Sequence, residues 1–428
     1  MSKKFNRMKK YCFFIIFLFA SVVSFSQSLD DINTMMLLMQ NKKAKEGIDK
    51  FLSDTKNATK ANGWFYKGRI YNAFSKDSGT TPTDALKLKG EAFDAFKKYQ
   101  QMDAKQENFK KENYASYFDL YNGYFDIGAR EFNSKNFANS FEGFKTALTV
   151  EDYVRSKGYE YNGFKFAELD TSLVLNAAIA AGNAKDEDAS IPYYRKLTDA
   201  SVAGENYLNV YQFLLEYYIK KKDDANINLM FEKGRKIYPK EKYWNELEVD
   251  IVAKTGDKKA LLAKYEELMK REPNEFTWPY NLSVEMYNQL YTGDNKPTDA
   301  EAVKNKLTEV LKFAINIDKG IDSKMLMTRH LYNAAYDFED SSKKIKGIKP
   351  EDVKKRNEAR ALFIKKIDDC IPYAESVINY LAALPTLKPA QRSNYKIVLD
   401  ILSQFYAAKG DPKKSAEYDK KKSEVDKL

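Results

Sequence analysis

The stretch "YFDIGAREFNSKNFANSFEGFKTAL", Tyr124 to Leu148, decides the fold. Tyr124, Ile127 and Gly128 fall three and four residues apart with Phe132 following, so one helix presents them as a single stripe. Ser140, Phe144 and Ala147 give a second helix a small, large, small rhythm. The pattern recurs. Pro239 in "KIYPKE" and Pro273 in "KREPNE" stand 34 residues apart, and each follows a helix that a proline cannot continue. Tyr211, Leu215 and Tyr218 open the first of these copies, and Asn245, Val249 and Val252 open the second; their turns contain Lys222-Asp223 and Gly256-Asp257. Near the C-terminus Leu399, Leu402, Ser403 and Tyr406 lead to Gly410-Asp411 and a final helix ending "EYDKKKSEVDKL". That last helix is strongly polar, as the capping element of a stack should be.

Earlier in the chain, "WFYKGRIY" places Trp64, Gly68 and Tyr71 on the pattern W-x2-L-G-x2-Y, with Lys67 in place of the leucine. On these motifs the chain resembles a tetratricopeptide-repeat protein over essentially its whole mature length. The resemblance implies an all-α, right-handed superhelical solenoid of antiparallel helix pairs, a concave groove lined by the first helix of each pair, and a role in binding proteins or peptides. A glycine inside a helix costs about 1 kcal/mol relative to alanine, and in this motif Gly68 admits the neighbouring helix. The best repeats span 120–152, 208–241, 242–275 and 395–428, with weaker ones at 171–200, 278–318 and 322–384. The expectation is about eight helix pairs in one repeat domain, 27–428, entered through an irregular pair at 29–60. Most of the 30 tyrosines and 27 phenylalanines then belong to the core, because no single repeat can bury its apolar face alone.

The N-terminus reads differently. "MSKKFNRMKK" followed by "YCFFIIFLFASVV" is a basic segment and an apolar run of signal-peptide length, too short to cross a membrane comfortably. Ser24 and Ser26 suit cleavage before Gln27, so residues 1–26 are expected to be removed and the mature chain exported, periplasmic or secreted, with no stable membrane insertion. Cys12 opens the apolar run instead of closing it, which argues against a lipoprotein. Cys370 is then the one mature cysteine and forms no internal disulfide. Five lysines and arginines lie in the leader, so the net charge of +10 falls to +5 in the mature chain. That near-neutral balance gives no case for a nucleic-acid partner.

Departures from the repeat are natural places for specific function. "SKDSGTTPTD" at 75–84, "TGDNKPTD" at 292–299 and "SSKKIKGIKPED" at 341–352 lengthen turns within pairs and should project from one edge. Two of them share Pro-Thr-Asp-Ala, a helix start, and Thr298 with Glu301 suggests a capping box. Pro192 suits the first turn of a helix, whereas Pro372, deep in the run from Glu351 to Ala383, predicts a kink or break. "YEYNGFKF", Tyr159 to Phe166, carries Asn162-Gly163, the strongest short signal for a β-hairpin. It falls between repeats, so it should emerge opposite the insertions. Its pairing sets Tyr159 against Phe166 and Tyr161 against Phe164 on one aromatic face, with Glu160 and Lys165 on the other. Such a face must cover the adjacent helices or capture a partner.

Catalytic and metal constellations are sparse. One histidine, His330, and one mature cysteine form no cluster of metal-ligand spacing, and no P-loop, H-E-x-x-H or G-x-S-x-G occurs. No cofactor and no enzymatic activity are expected; an unrecognised carboxylate site is the enzymatic rival. Within the family resemblance, the basic clamp for a C-terminal carboxylate would fall on Phe65, Arg69 and Asp126, where its pattern fails. Candidate partner-binding residues by phase are Phe125, Phe132, Asn133, Gln212, Glu216, Glu246 and Asp250, with Tyr159, Tyr161, Phe164 and Phe166 of the hairpin. They suit an extended peptide or a helix from a partner protein. A glycan bound for nutrient uptake is the alternative.

Overall fold

In the computed structural model, residues 28–293, 296–318 and 320–427 are described. The expected leader 1–26, with Cys12, Ser24 and Ser26, and the new terminus Gln27 lie outside them. The chain is all-α and forms two compact units, one up to Lys240 and one from Glu241. In the first, α1 (Leu29–Leu37), α2 (Asn41–Ser53) and the short α3 (Thr55–Ala58) make the irregular N-terminal pair. Then come α4 (Ala61–Phe74) with α5 (Pro82–Met102), the short α6 (Glu107–Lys111), and α7 (Ala115–Asn133) with α8 (Phe137–Ser156). The pairs α9 (Thr171–Asn183) with α10 (Glu187–Asp199) and α11 (Leu208–Lys221) with α12 (Asp224–Ile237) complete it. The second unit pairs α13 (Tyr243–Lys254) with α14 (Lys258–Arg271), α15 (Thr277–Tyr291) with α16 (Ala300–Ile317), α17 (Asp322–Lys344) with α18 (Pro350–Ala382), and α19 (Pro389–Ala408) with α20 (Pro412–Glu424). The eight pairs after the N-terminal one fall on the phase of the motifs.

The turns repeat one device. Lys185, Lys222, Gly256 and Gly410 take left-handed φ angles of 65°, 58°, 74° and 81°. The aspartate that follows each, Asp186, Asp223, Asp257 or Asp411, caps the next helix by accepting a backbone N–H. One residue reverses the chain and the next satisfies the amides left open at the helix start. Gly68 of the repeat motif acts as expected, and Gly143 adds a second close approach. A Cβ on Gly68 would stand 2.3 Å from the Phe96 ring of α5, and one on Gly143 of α8 would stand 2.7 Å from the backbone nitrogen of Gly128 in α7.

Four local expectations are corrected. Pro192 lies in the second turn of α10, because Asp186 caps the helix earlier and Glu187 begins it. Pro372 does not break α18, which runs unbroken for 33 residues; Cys370, Ala374 and Val377, all fully buried, hold the two sides of the lost hydrogen bond in one packed stripe. The cap of α16 is Asp299, whose side chain accepts from the Ala302 amide, not Thr298 with Glu301. The same tetrapeptide thus starts two helices in different registers, since Thr81 caps α5 with Pro82 as its first residue. Finally, 159–166 holds no strand: a single bridge joins Tyr161 and Phe164, and the turn leans on α7 instead of extending a ladder. No helix among the described residues is long and apolar enough to cross a membrane.

Candidate functional site

In the first unit, Arg69, Asn72 and Ala73 recur at helical spacing on α4, with Lys76 in the turn just after it, and Phe118, Asp119, Asn122 and Asp126 do so on α7. These faces line three adjoining hollows of about 550, 360 and 460 Å³, and Asp119 borders all three. A line of hydrogen bonds fixes the polar floor. Lys76 Nζ donates to Asp119 Oδ1 at 2.6 Å and to Oδ2 at 2.7 Å. Asn72 Nδ2 donates to Asp119 Oδ2 at 2.8 Å, and Lys89 Nζ, from α5, donates to Asn72 Oδ1 at 2.7 Å. With Asp119 on one side and Lys89 on the other, the Asn72 amide is held in one orientation.

Lys89 is the chemical anomaly. It is 1% exposed, its Nζ lies 5.9 Å from the Tyr124 ring centroid, and it runs over Gly123, where a Cβ would stand 2.1 Å from Nζ. Burial, and secondarily the charge of Lys76, push its amine down to about 7. Removing an ammonium from water disfavours the charged form, and Asp119 is already engaged by Lys76.

One end of the groove is aromatic. Asn162 and Gly163 at φ 51° and 80° turn the chain; Tyr161 N donates to Phe164 O at 3.1 Å and Phe164 N to Tyr161 O at 2.9 Å. Lys165 pairs with Glu160 at 2.9 Å. Phe166 stacks on Phe118 at 5.1 Å between centroids, with Tyr161 at 5.6 Å and Phe164 at 6.0 Å from the same ring. Tyr159 parts from this face. It is buried, stacked on Tyr114 at 4.1 Å, and its hydroxyl donates to Gln106 Oε1 at 2.7 Å. Arg155 Nη1 holds the far leg through the Ala167 and Glu168 carbonyls at 3.0 and 2.9 Å. The turn covers the N-terminal half of α7, while the loop 75–81 borders its C-terminal half at Asp126 and Arg130. At the other end of the groove the lip is apolar, formed by Met36, Leu37 and Met39 between α1 and α2.

The structure thus brings Tyr161, Phe164 and Phe166 together beside the α4–α7 face. Phe125 instead meets Phe144 of its own pair at 5.8 Å, and Phe132 meets Phe137 at 5.4 Å. Asn133 is exposed at the end of α7; Gln212 is half-buried and Glu216 exposed on α11; Glu246 and Asp250 are exposed on α13 of the second unit. Sequence phase missed Asn72, Lys76, Lys89, Asp119 and Asn122. The available signal was the polar spacing of α4 beside the insertion at 75–84.

Other titratable groups sit within the core. The Glu151 carboxyl, 1% exposed, is pushed up to about 7 by burial and then by Asp170 and Asp152, against Arg155. In the second unit His330 is pushed down to about 4 by burial, its Nδ1 3.0 Å from Tyr291 Oη and its Nε2 2.9 Å from Thr308 Oγ1. Burial raises the Cys370 thiol far above its usual range. Among the described residues no group of three metal-ligating side chains comes together.

Compared with known proteins, the chain matches no family model and no curated protein. Among solved structures it is similar to a Naa15/Naa10 complex bound to HypK-THB, at 14% identity and a TM-score of 0.29, over 93% of this chain and 57% of that one. It is also similar to the P58(IPK) TPR domain, at 11% identity and a TM-score of 0.25, over 88% of this chain and 97% of that one. A third is the human IFIT1 dimer with m7Gppp-AAAA, at 12% identity and a TM-score of 0.19, over 92% and 88% of the two chains.

Proposed function

We propose that this chain is an exported protein-interaction scaffold, periplasmic or secreted, whose first unit holds a polypeptide segment along α4 and α7. The observation that carries this reading is the continuous groove around Asp119, with a fixed polar floor between an apolar lip and an aromatic wall. An extended peptide offers an amide donor and acceptor at each residue and side chains to both walls. Export rests on the leader at 1–26, and a reporter fused behind those residues should leave the cytoplasm.

Selection of a displayed peptide library on purified 27–428 protein tests the binding. Enriched peptides should lose about tenfold or more in affinity when the exposed Asn122 is changed to Arg, with helicity and melting kept. Unchanged affinity would remove the groove from the account. The exposed faces of Tyr161 and Phe164 also suit a sugar ring. Binding on a glycan array, lost in Tyr161→Ala with no peptide enriched, would replace the peptide reading.

A further inference from the structure

A buried lysine is costly unless its charge is paired, and Lys89 is not arranged to be paired. Its hydrogen bond goes to the neutral amide oxygen of Asn72. Asp119, the carboxylate next in line, accepts from Lys76 and Asn72. Gly123 provides the space in which Nζ lies, and Lys89 and Gly123 both line the 550 Å³ hollow that the loop 75–81 borders. The amine, pushed down to about 7, has a large uncharged fraction at neutral pH. With one N–H on Asn72, its lone pair remains for an electrophile. Ser78, Thr80, Asp126 and Arg130 line the rest of the hollow with hydroxyl, carboxylate and guanidinium groups, which suit a hydroxylated ligand better than an apolar one.

We propose that Lys89 is a covalent binding site that forms an imine with a small hydroxyaldehyde held in this hollow. The nitrogen lone pair bonds to the carbonyl carbon as the C=O π pair moves to oxygen, and one amine proton passes to that oxygen, giving a carbinolamine. The nitrogen pair then expels the hydroxyl group, which takes the second amine proton and leaves as water. C=N replaces C=O and nothing is oxidised or reduced.

The test treats the purified protein with glycolaldehyde and cyanoborohydride, which traps the imine by hydride transfer, and maps labelled lysines by peptide mass spectrometry between pH 6 and 9. At pH 7 Lys89 should label about tenfold or more faster than surface lysines, since each unit of lowered pKa gives roughly tenfold more free amine below that pKa. Its rate should level off above about pH 7 while theirs continue to climb. Asn72→Asp, which sets a carboxylate against the amine, should pull Lys89 labelling toward the surface level. Lys89 labelling in the wild-type protein no faster than surface lysines at pH 7, or not at all, would overturn the proposal. Either result leaves peptide binding in the groove to its own test.

Discussion

At the scale of single residues, the repeat is enforced by where a side chain is forbidden. Gly143 faces the backbone of Gly128, and backbone cannot rotate away as a ring can. Gly143→Ala should therefore destabilise the first unit by about 1–3 kcal/mol, the usual cost of overpacking. Gly90 on α5 is the control, because a Cβ there meets nothing nearer than the Tyr124 hydroxyl at 3.9 Å. Gly90→Ala should stabilise by up to about 1 kcal/mol. Urea unfolding of both variants checks the pair, and equal effects would contradict close approach as the reason for the motif. The rings at 159–166 divide in the same way. Tyr159 is buried, and its truncation to Ala should cost about 3–5 kcal/mol, as for other large aromatic deletions. Phe164 is 57% exposed, so its truncation should cost well under that while affecting whatever binds the wall.

At the scale of elements, the left-handed turn residue followed by an aspartate cap is what sets the phase. Lys185 and Lys222 hold a conformation that favours glycine. Replacing each by Gly should stabilise by about 0.5–1 kcal/mol, read as a shift in the urea midpoint with an unchanged slope. These turns were legible because glycine, proline and aspartate act locally. Pro239 and Pro273 follow α12 and α14, as their spacing implied. Pro372 misled because packing of α18 against α17 outweighs one missing hydrogen bond. The Pro-Thr-Asp-Ala pair misled because a proline sets φ but not which neighbouring side chain reaches the amide three residues on. The groove was less legible. Arg69 and Asp126 stood out only against a clamp pattern they do not meet. Nothing in the sequence pattern singles out Lys89, and only its approach to Gly123 of the next pair marks it as buried.

At the scale of the whole molecule, buried ionisable groups couple stability to pH. Lys89 titrates near 7 folded and at its ordinary value, about 10.5, unfolded. Between those values the unfolded chain carries the extra proton, so stability rises with pH across that window and the full penalty applies below it. Lys89→Met should therefore gain stability at pH 6 and lose that advantage by pH 10. Glu151 has the opposite sign: its carboxyl titrates near 7 folded and near 4.5 unfolded, so stability falls as pH rises through that window. Glu151→Gln should raise the melting temperature at pH 8 and leave it nearly unchanged at pH 4. The two melting series separate burial from any general effect of net charge. The central claim, that the first unit binds a polypeptide on α4 and α7, is tested most directly by hydrogen exchange with and without a peptide enriched in the library selection. Added protection should centre on residues 69–76, 115–126 and 161–166; protection confined to the second unit, or to the outward faces of α5 and α8, would contradict it.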